Sequence, residues 1–464
     1  MDARPEFPLP ELDRGRVPQL VLGVLRTLRG AGKQAFLAGG SVRDLARLAL
    51  GLIGPPDPRE RWPADFDIAT DALPEEVMKL FPRAIPTGIQ HGTVTVIARA
   101  SSAGLDARAN VSEEHKIELT TFRGEGPYLD GRRPSSISFL GDIEGDLARR
   151  DFTVNAMAWD PLAEGAEGLR DPFGGIADLR RQILRCVGEA HDRFAEDGLR
   201  PLRAVRFATT LRLALEIRTA RAITGTLETF DKVARERVRD ELDKLLSRGR
   251  PPSRGARLLL RTGLLARISQ VLAASANQDQ EMWRRMLRAL DASPADRVVR
   301  YAILLSLLGD QGAAAFCDQL KFPPKLRDRL MHLIRESGLD QSSAWSDGDV
   351  RRALARITPP ELPALISIRL AFAHADGAPR RDDAMIERFK ALLAAKPPLA
   401  IHQLALDGRG LMTALALPPG PQVGALLRAL LDAVLHDPSL NTIDTLSRLA
   451  SDLVRRQSTG NSQG

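Results

Sequence analysis

Cysteine is nearly missing from the chain: Cys186 and Cys317 are the only two in 464 residues. Two thiols provide neither a disulfide framework nor a cysteine metal cluster, so a reducing cytosol is the expected setting. Aromatic residues make up only 5%, which is ordinary for a helical protein. No apolar run reaches the roughly 18 residues of a membrane-spanning helix. The opening MDARPEFPLPELDRGR lacks the basic-then-apolar pattern of a secretory signal. No fixed-period repeat stands out. These absences predict a soluble, cytoplasmic protein with no membrane partner.

What is present begins with charge. The formal net charge is +7 and the sequence pI ≈ 9.8, a balance that favours a polyanionic partner such as nucleic acid over an acidic membrane surface, though either could use it. The length suggests about two to four domains and a sizeable core.

The stretch Ala64-Asp65-Phe66-Asp67-Ile68-Ala69-Thr70 sets two carboxylates two residues apart in an apolar, extended context. In a strand that spacing turns both to one face. Such close acids repel unless a cation sits between them, so Asp65 and Asp67 are candidate Mg²⁺ ligands. A solvated strand end would carry the same pair. About twenty residues upstream, Ala35-Phe36-Leu37-Ala38-Gly39-Gly40-Ser41-Val42-Arg43-Asp44 reads as a strand, a double-glycine turn and a helix from Ser41. Glycine lets the backbone approach an anion, a helix N-terminus offers free N–H groups, and Arg43 adds a charge-assisted contact. A mere Gly-Gly turn is the alternative. Together the two stretches suit a nucleoside triphosphate with its metal.

Helices are expected over 18–28, 41–51, 74–81 and 142–150, and strands up to Ala38 and over 93–98, 116–122 and 153–159. The loop 124–136, with Tyr128, Asp130, Arg132 and Arg133, is either a functional lid or a long surface connection. From Asp178 onward helices take over. Arg200, Arg203 and Arg206 recur every three residues and share a helix face. Only Glu196 and Asp197 precede them, so the row reads either as an unneutralised face awaiting an anion or as a solvated basic face, which would usually carry interspersed acids. By contrast, 235–247 (RERVRDELDKLLS) alternates in sign and reads as a structural, ion-paired helix. Gly249–Gly255 is a plausible hinge.

Five motifs, in order and spacing, resemble the class II tRNA nucleotidyltransferases and bacterial poly(A) polymerases: Gly39–Asp44, Asp65–Thr70, Glu118-Leu119-Thr120-Thr121-Phe122-Arg123, Arg149–Met157 and Glu196–Phe207. The resemblance implies an α+β chain, a small mixed-sheet nucleotidyltransferase head followed by an all-helical neck, body and tail. The implied boundaries are an extension 1–18, a head 19–162, a neck 163–250 with the base-selecting motif, a body 251–395, a tRNA-binding tail 396–456 and a disordered end 457–464. The implied reaction adds CMP, CMP and AMP to a tRNA 3′ end without a nucleic-acid template, using CTP and ATP and releasing pyrophosphate. Asp65 and Asp67 would hold two Mg²⁺ ions. Gly39, Gly40, Ser41 and Arg43 would meet the triphosphate, and Arg150 and Asp151 the sugar. Asp197 and Arg200 would read the base, with Arg203 and Arg206 beside them on the triphosphate or base. Glu118 would be either a further acid near the metals or a surface carboxylate. Body and tail would grip the acceptor and TΨC arms.

Three comparisons within that resemblance narrow it. Thr87–Val96 resembles the tRNA enzymes rather than the basic Gly-Arg-Arg stretch of the poly(A) polymerases. The intact loop 124–136 favours full CCA addition over C addition alone. The stretch 302–310 lacks a His-Asp pair, and His436-Asp437 stands alone before Pro438, so no phosphohydrolase activity is expected. The family usually has proline two residues before the selecting arginine. Here Gly198 stands there and Pro201 follows Arg200, so the helix should start close to 198 or be kinked. The alternatives left open are a poly(A) polymerase or A-adding enzyme, and a silent RNA-binding protein on the same fold. The sequence leaves the oligomeric state open.

Overall fold

The structure, a computed structural model, describes residues 7–54, 63, 65–99, 114–125, 137–337, 345–357, 359–377 and 383–460. The chain divides into two compact units, Met1–Arg250 with Arg254–Gln270, and Pro251–Ser253 with Val271–Gly464.

In the first unit, helix α1 (Gln19–Gly30) buries Val21, Leu22, Val24, Leu25 and Leu28, which recur every three or four residues. Each such burial is worth roughly 1.5–3 kcal/mol. The strands are β1 (Ala35–Ala38), β2 (Asp67–Thr70), β3 (Ala84–Gly88), β4 (Thr93–Arg99), β5 (Glu114–Thr121), β6 (Arg123–Glu125), β7 (Ile137–Phe139), β8 (Ala158–Trp159) and β9 (Leu169–Arg170). Seven of them form a sheet ordered β3-β4-β5-β2-β1-β8-β9, while β6 and β7 pair as a separate hairpin. Only β2 and β5 run parallel within the sheet, which makes it mixed.

Register matters most at one end of the sheet. Ala38 lies opposite Asp67 and Ala158, and Asp67 lies opposite Glu118. The glycine turn after β1, the acid that opens β2 and the Glu118 carboxylate are therefore drawn to the same edge. Behind this edge Ala38, Ala69, Phe122, Ile143, Leu147, Ala156, Ala158 and Val187 form one apolar cluster.

The helices after β1 are α2 (Gly40–Ala49), α3 (Pro74–Leu80), α4 (Ile143–Ala148), α5 (Gly175–Arg180), α6 (Ala190–Glu196), α7 (Arg200–Thr210), α8 (Ile217–Gly225), α9 (Leu227–Asp231) and α10 (Arg235–Arg248). Two expectations are corrected here. The strand expected over 153–159 is a 3-10 turn, Thr153–Asn155, followed by the two residues of β8. The turn wins because Asn155 N–H bonds back to Phe152 O and Thr153 Oγ1 donates to Asp178, which turns the chain away from a ladder. The neck is not all-helical either, since Ile183–Leu184 and Ala214–Leu215 pair as a short parallel ribbon.

The second unit is helical apart from short 3-10 turns among the described residues. Helix Gln280–Ala292 packs on Leu362–Ala375, and Arg285 forks onto Asp376 at 2.5 and 2.7 Å. Helices Gly408–Leu415, Pro421–His436 and Ile443–Gly460 close around Leu411, Leu430, Val434, Leu446 and Ala450. The last helix runs four residues into the segment expected to be disordered; 461–464 lie outside the described residues. His436-Asp437 ends one helix and caps the next turn, Asp437 accepting from Ser439 N–H at 3.0 Å. Among the described residues no helix is long and apolar enough to cross a membrane.

Candidate active site

A cleft of about 370 Å³ opens in the first unit. Its first wall is the start of α2. Gly39, at φ 78°, caps that helix without a side chain, so the leading N–H groups have no side-chain cap. A Cβ at Gly39 would stand 2.7 Å from Arg150 Nη1 and would push that guanidinium aside, and the φ of 78° strains any side chain there. Arg43, 8% exposed, extends along the cleft. Its Nε and Nη2 donate to Asp44 at 2.9 and 3.0 Å and its Nη1 to Asn155 Oδ1 at 2.7 Å. Ser41 Oγ is buried with no hydrogen-bond partner, but Ser41 does not line the cleft.

The second wall is acidic. Asp67 opens β2 and lines the cleft, while Asp65 lies just before the strand and is exposed. Asp67 keeps solvent exposure by area, yet the surrounding walls displace much of its water. That burial, reinforced by Glu118 and Asp65 and opposed by Arg150, pushes its carboxyl up to about 6. Three carboxylates crowding one edge are unfavourable alone and become favourable around a cation. Among the described residues no closed cluster of three or more protein ligands is formed. An open acid pair of this kind suits a hard divalent ion completed by water and phosphate oxygens.

The third wall comes from the 149–155 turn and from α7. Arg150 Nη2 pairs with Asp146 at 3.1 Å. Asp151 Oδ2 receives Arg203 Nε and Nη2 at 2.9 and 2.6 Å. Burial would raise the Asp151 carboxyl, but the Arg203 guanidinium and the Asn155 amide hold it below the usual carboxylate range. Arg200 Nη1 donates to Glu196 at 2.5 Å and to Arg193 O at 3.0 Å, and its Nη2 to Arg149 O at 3.1 Å. Asp197 caps Leu199 N–H at 3.0 Å and pairs with Arg237 at 3.1 Å. Arg206 is ion-paired with Glu241 and lies 3.8 Å from the Phe207 ring centroid.

The structure therefore brings Gly39, Gly40, Arg43, Asp67, Arg150, Asp151, Asp197, Arg200 and Arg203 to one cleft. It leaves Ser41, Asp65 and Arg206 off its lining. The arginine row is also not unneutralised: Glu196, Asp151 and Glu241 answer Arg200, Arg203 and Arg206 in turn. Two of those acids lie more than 30 residues away in sequence, beyond any i±4 reading. Sequence reasoning missed Arg149, Asn155 and Phe207 on the cleft, and Arg237 and Glu241 behind it. Glu241 did carry a signal. It falls on the α10 face that buries Val238, Leu242 and Leu245, where a lone acid needs a buried cation.

Helix Arg200–Thr210 starts at Arg200 with Pro201 in its first turn, where a missing N–H is harmless. Gly198 is required where it stands, since a Cβ would collide with the Thr229 carbonyl.

Sheet, uncapped helix and acid edge define a nucleotidyltransferase head. The family model described as the poly A polymerase head domain matches residues 35–185. Those for a probable RNA and SrmB-binding site of polymerase A and for a putative tRNA nucleotidyltransferase domain 2 match 212–275 and 294–450. The chain is 35% identical to the CCA-adding enzyme of Geobacillus stearothermophilus, over 90% of this chain and 93% of that protein. It is 34% identical to that of Lactobacillus delbrueckii subsp. bulgaricus, over 89% and 92%. The crystal structure of the Bacillus stearothermophilus CCA-adding enzyme in complex with CTP superposes with a TM-score of 0.75 at 32% identity, covering 95% of this chain and 98% of that one. The chain belongs to the family of the CCA-adding enzymes. It is an enzyme, a nucleotidyltransferase, of a class that works with divalent metal ions.

Proposed function

We propose that the protein adds CMP, CMP and AMP to tRNA 3′ ends from CTP and ATP, and that the cleft of the first unit is where it does so. One observation supports this above the others: an uncapped helix start with Arg43 and a crowded acid edge shares a single cleft with Asp197 and Arg200. Gly39, Gly40 and Arg43 receive the triphosphate from the cleft wall, and Ser41, off the lining, contributes through its backbone N–H at the start of α2, where the helix offers N–H groups and a positive dipole end. Arg150 and Asp151 meet the sugar. Asp65 and Asp67 would hold Mg²⁺, two ions in this reading, which when bound would sharpen the 3′-hydroxyl nucleophile and neutralise the departing pyrophosphate.

Selection follows from donor and acceptor patterns. Cytosine and adenine each present an exocyclic amine beside a ring acceptor, whereas guanine and uracil present the reverse. Asp197 accepts from the amine and Arg200 donates to the ring nitrogen. Both are oriented before a base arrives, Asp197 by Arg237 and Arg200 by Glu196 and two carbonyl oxygens. Arg203 and Arg206 reinforce this wall through Asp151 and Glu241. The helical segments 251–395 and 396–456 hold the acceptor and TΨC arms. The test is single-nucleotide incorporation with each of the four triphosphates in turn. C should enter on tRNA ending at the discriminator base or at C, and A on tRNA ending at CC. Incorporation of G or U at comparable rates would remove the selection scheme, and no incorporation would leave an RNA-binding protein.

A further inference from the structure

Arg43 stands on α2, whereas Asp151 and Arg203 belong to the opposite wall, yet one side chain touches both sides. Asn155, 7% exposed and lining the cleft, accepts from Arg43 Nη1 through Oδ1 at 2.7 Å. Its Nδ2 donates to Asp151 Oδ1 at 3.1 Å, while Asp151 Oδ2 holds Arg203. The result is a continuous chain, Asp44 to Arg43 to Asn155 to Asp151 to Arg203. An amide suits the middle of that chain because it accepts at one end and donates at the other. A carboxylate would face Asp151 with like charge, and an alkyl group would take the acceptor from Arg43 Nη1 and one of the two donors from Asp151 Oδ1, which would keep only the Phe152 N–H. The Phe207 ring joins the same two arginines a second way, 5.5 Å from Arg43 Cζ and 5.3 Å from Arg203 Cζ.

We propose that Asn155 is a positioning residue that sets the spacing between the phosphate-binding and the sugar- and base-binding halves of the cleft. A nucleoside triphosphate must satisfy both halves at once, so a fixed spacing spares the site from reorganising when the ligand arrives. The inference rests on the reading of this cleft as the triphosphate site. If Asn155 served only to fold the 153–155 turn, its backbone bond to Phe152 O would suffice and its amide would have no bearing on affinity.

The experiment titrates the whole protein with CTP and with ATP calorimetrically and measures CMP and AMP transfer in parallel. Asn155→Asp keeps the size of the side chain, removes the donor and adds a negative charge, so Asn155→Leu, which removes the donor without adding charge, is titrated beside it and must weaken both triphosphates as well. Both triphosphates should bind about ten-fold or more weakly, as expected for a lost hydrogen bond to a charged group. The tRNA affinity and the melting temperature should stay close to those of the parent. Arg43→Ala, Asn155→Ala and their combination form a cycle in which the double variant should lose markedly less than the product of the single losses. Unchanged triphosphate affinity in Asn155→Asp, or independent losses in the cycle, overturns the proposal. Should Asn155→Asp melt early, the same cycle with Asn155→Ser decides by the same criterion. A parent protein that binds both triphosphates but transfers neither contradicts the proposed function and leaves this inference standing. One that binds neither overturns both.

Discussion

At the scale of single residues, the cleft depends on a few atoms that tolerate no substitute. Asp67 meets Glu118 across the β2–β5 register and has Asp65 close by. Asp67→Ala should lower nucleotide transfer about a thousand-fold or more while leaving tRNA binding measurable, because metal positioning supplies several kcal/mol to the transition state. Steady-state transfer beside a filter-binding assay checks both halves of that statement. Gly39 is required for a different reason. With φ at 78° and Arg150 Nη1 2.7 Å from where a Cβ would stand, Gly39→Ala should destabilise the first unit by about 1–3 kcal/mol. It should also displace Arg150. Urea unfolding and the KM for CTP read the two effects separately.

At the scale of elements, much of the head was legible in the sequence. The 3.6-residue spacing of apolar positions marked α1, and Pro74 marked the start of α3, because local chemistry alone decides these. The double glycine and the acid pair, each open alone to a plain reading as a turn and a solvated strand end, stood out because they occur together. Partners from distant segments were not legible. Nothing local to Arg206 announces Glu241, and nothing near Arg203 announces Asp151, so a row paired in three dimensions reads as bare charge in one. The strand expected at 153–159 failed partly for the same reason, since Thr153 bonds to the distant Asp178, while Asn155 bonds back locally to Phe152 and Asp151 and turns the chain. Gly198 belongs at this scale as well. Its close approach to the α9 backbone lets α7 begin beside Asp197, so Gly198→Ala should cost about 1–3 kcal/mol by overpacking. The same change should loosen discrimination between C and A on one side and G and U on the other. Thermal melting paired with misincorporation rates tests both, and a destabilised variant with unaltered selection would separate the element from its proposed role.

For the molecule as a whole, charge governs both stability and binding. Asp146, Asp151 and Glu241 are buried acids held below the usual carboxylate range by arginines, in spite of the upward push of burial. A depressed folded value stabilises the native state above the unfolded value, and that stabilisation is lost as pH falls through the depressed one. Asp67, pushed up to about 6, acts in the opposite sense and adds stability as pH falls from 7 toward 5, so melting of the first unit should stay level or rise over that range and drop steeply below about 4. A fall between pH 7 and 5 would contradict the assignment. The net charge of +7 acts outward. If the helical second unit holds tRNA phosphates, the affinity should fall at least about ten-fold between roughly 50 and 200 mM salt, and a flat profile would argue for a different mode of recognition.

The most direct measurement offers purified protein three tRNA transcripts, ending at the discriminator base, at C and at CC, with CTP and ATP together and Mg²⁺, and reads product length. The account predicts that all three grow to a common CCA end and then stop. Long A tails, growth of the CC-ended transcript alone, or no growth would each contradict it.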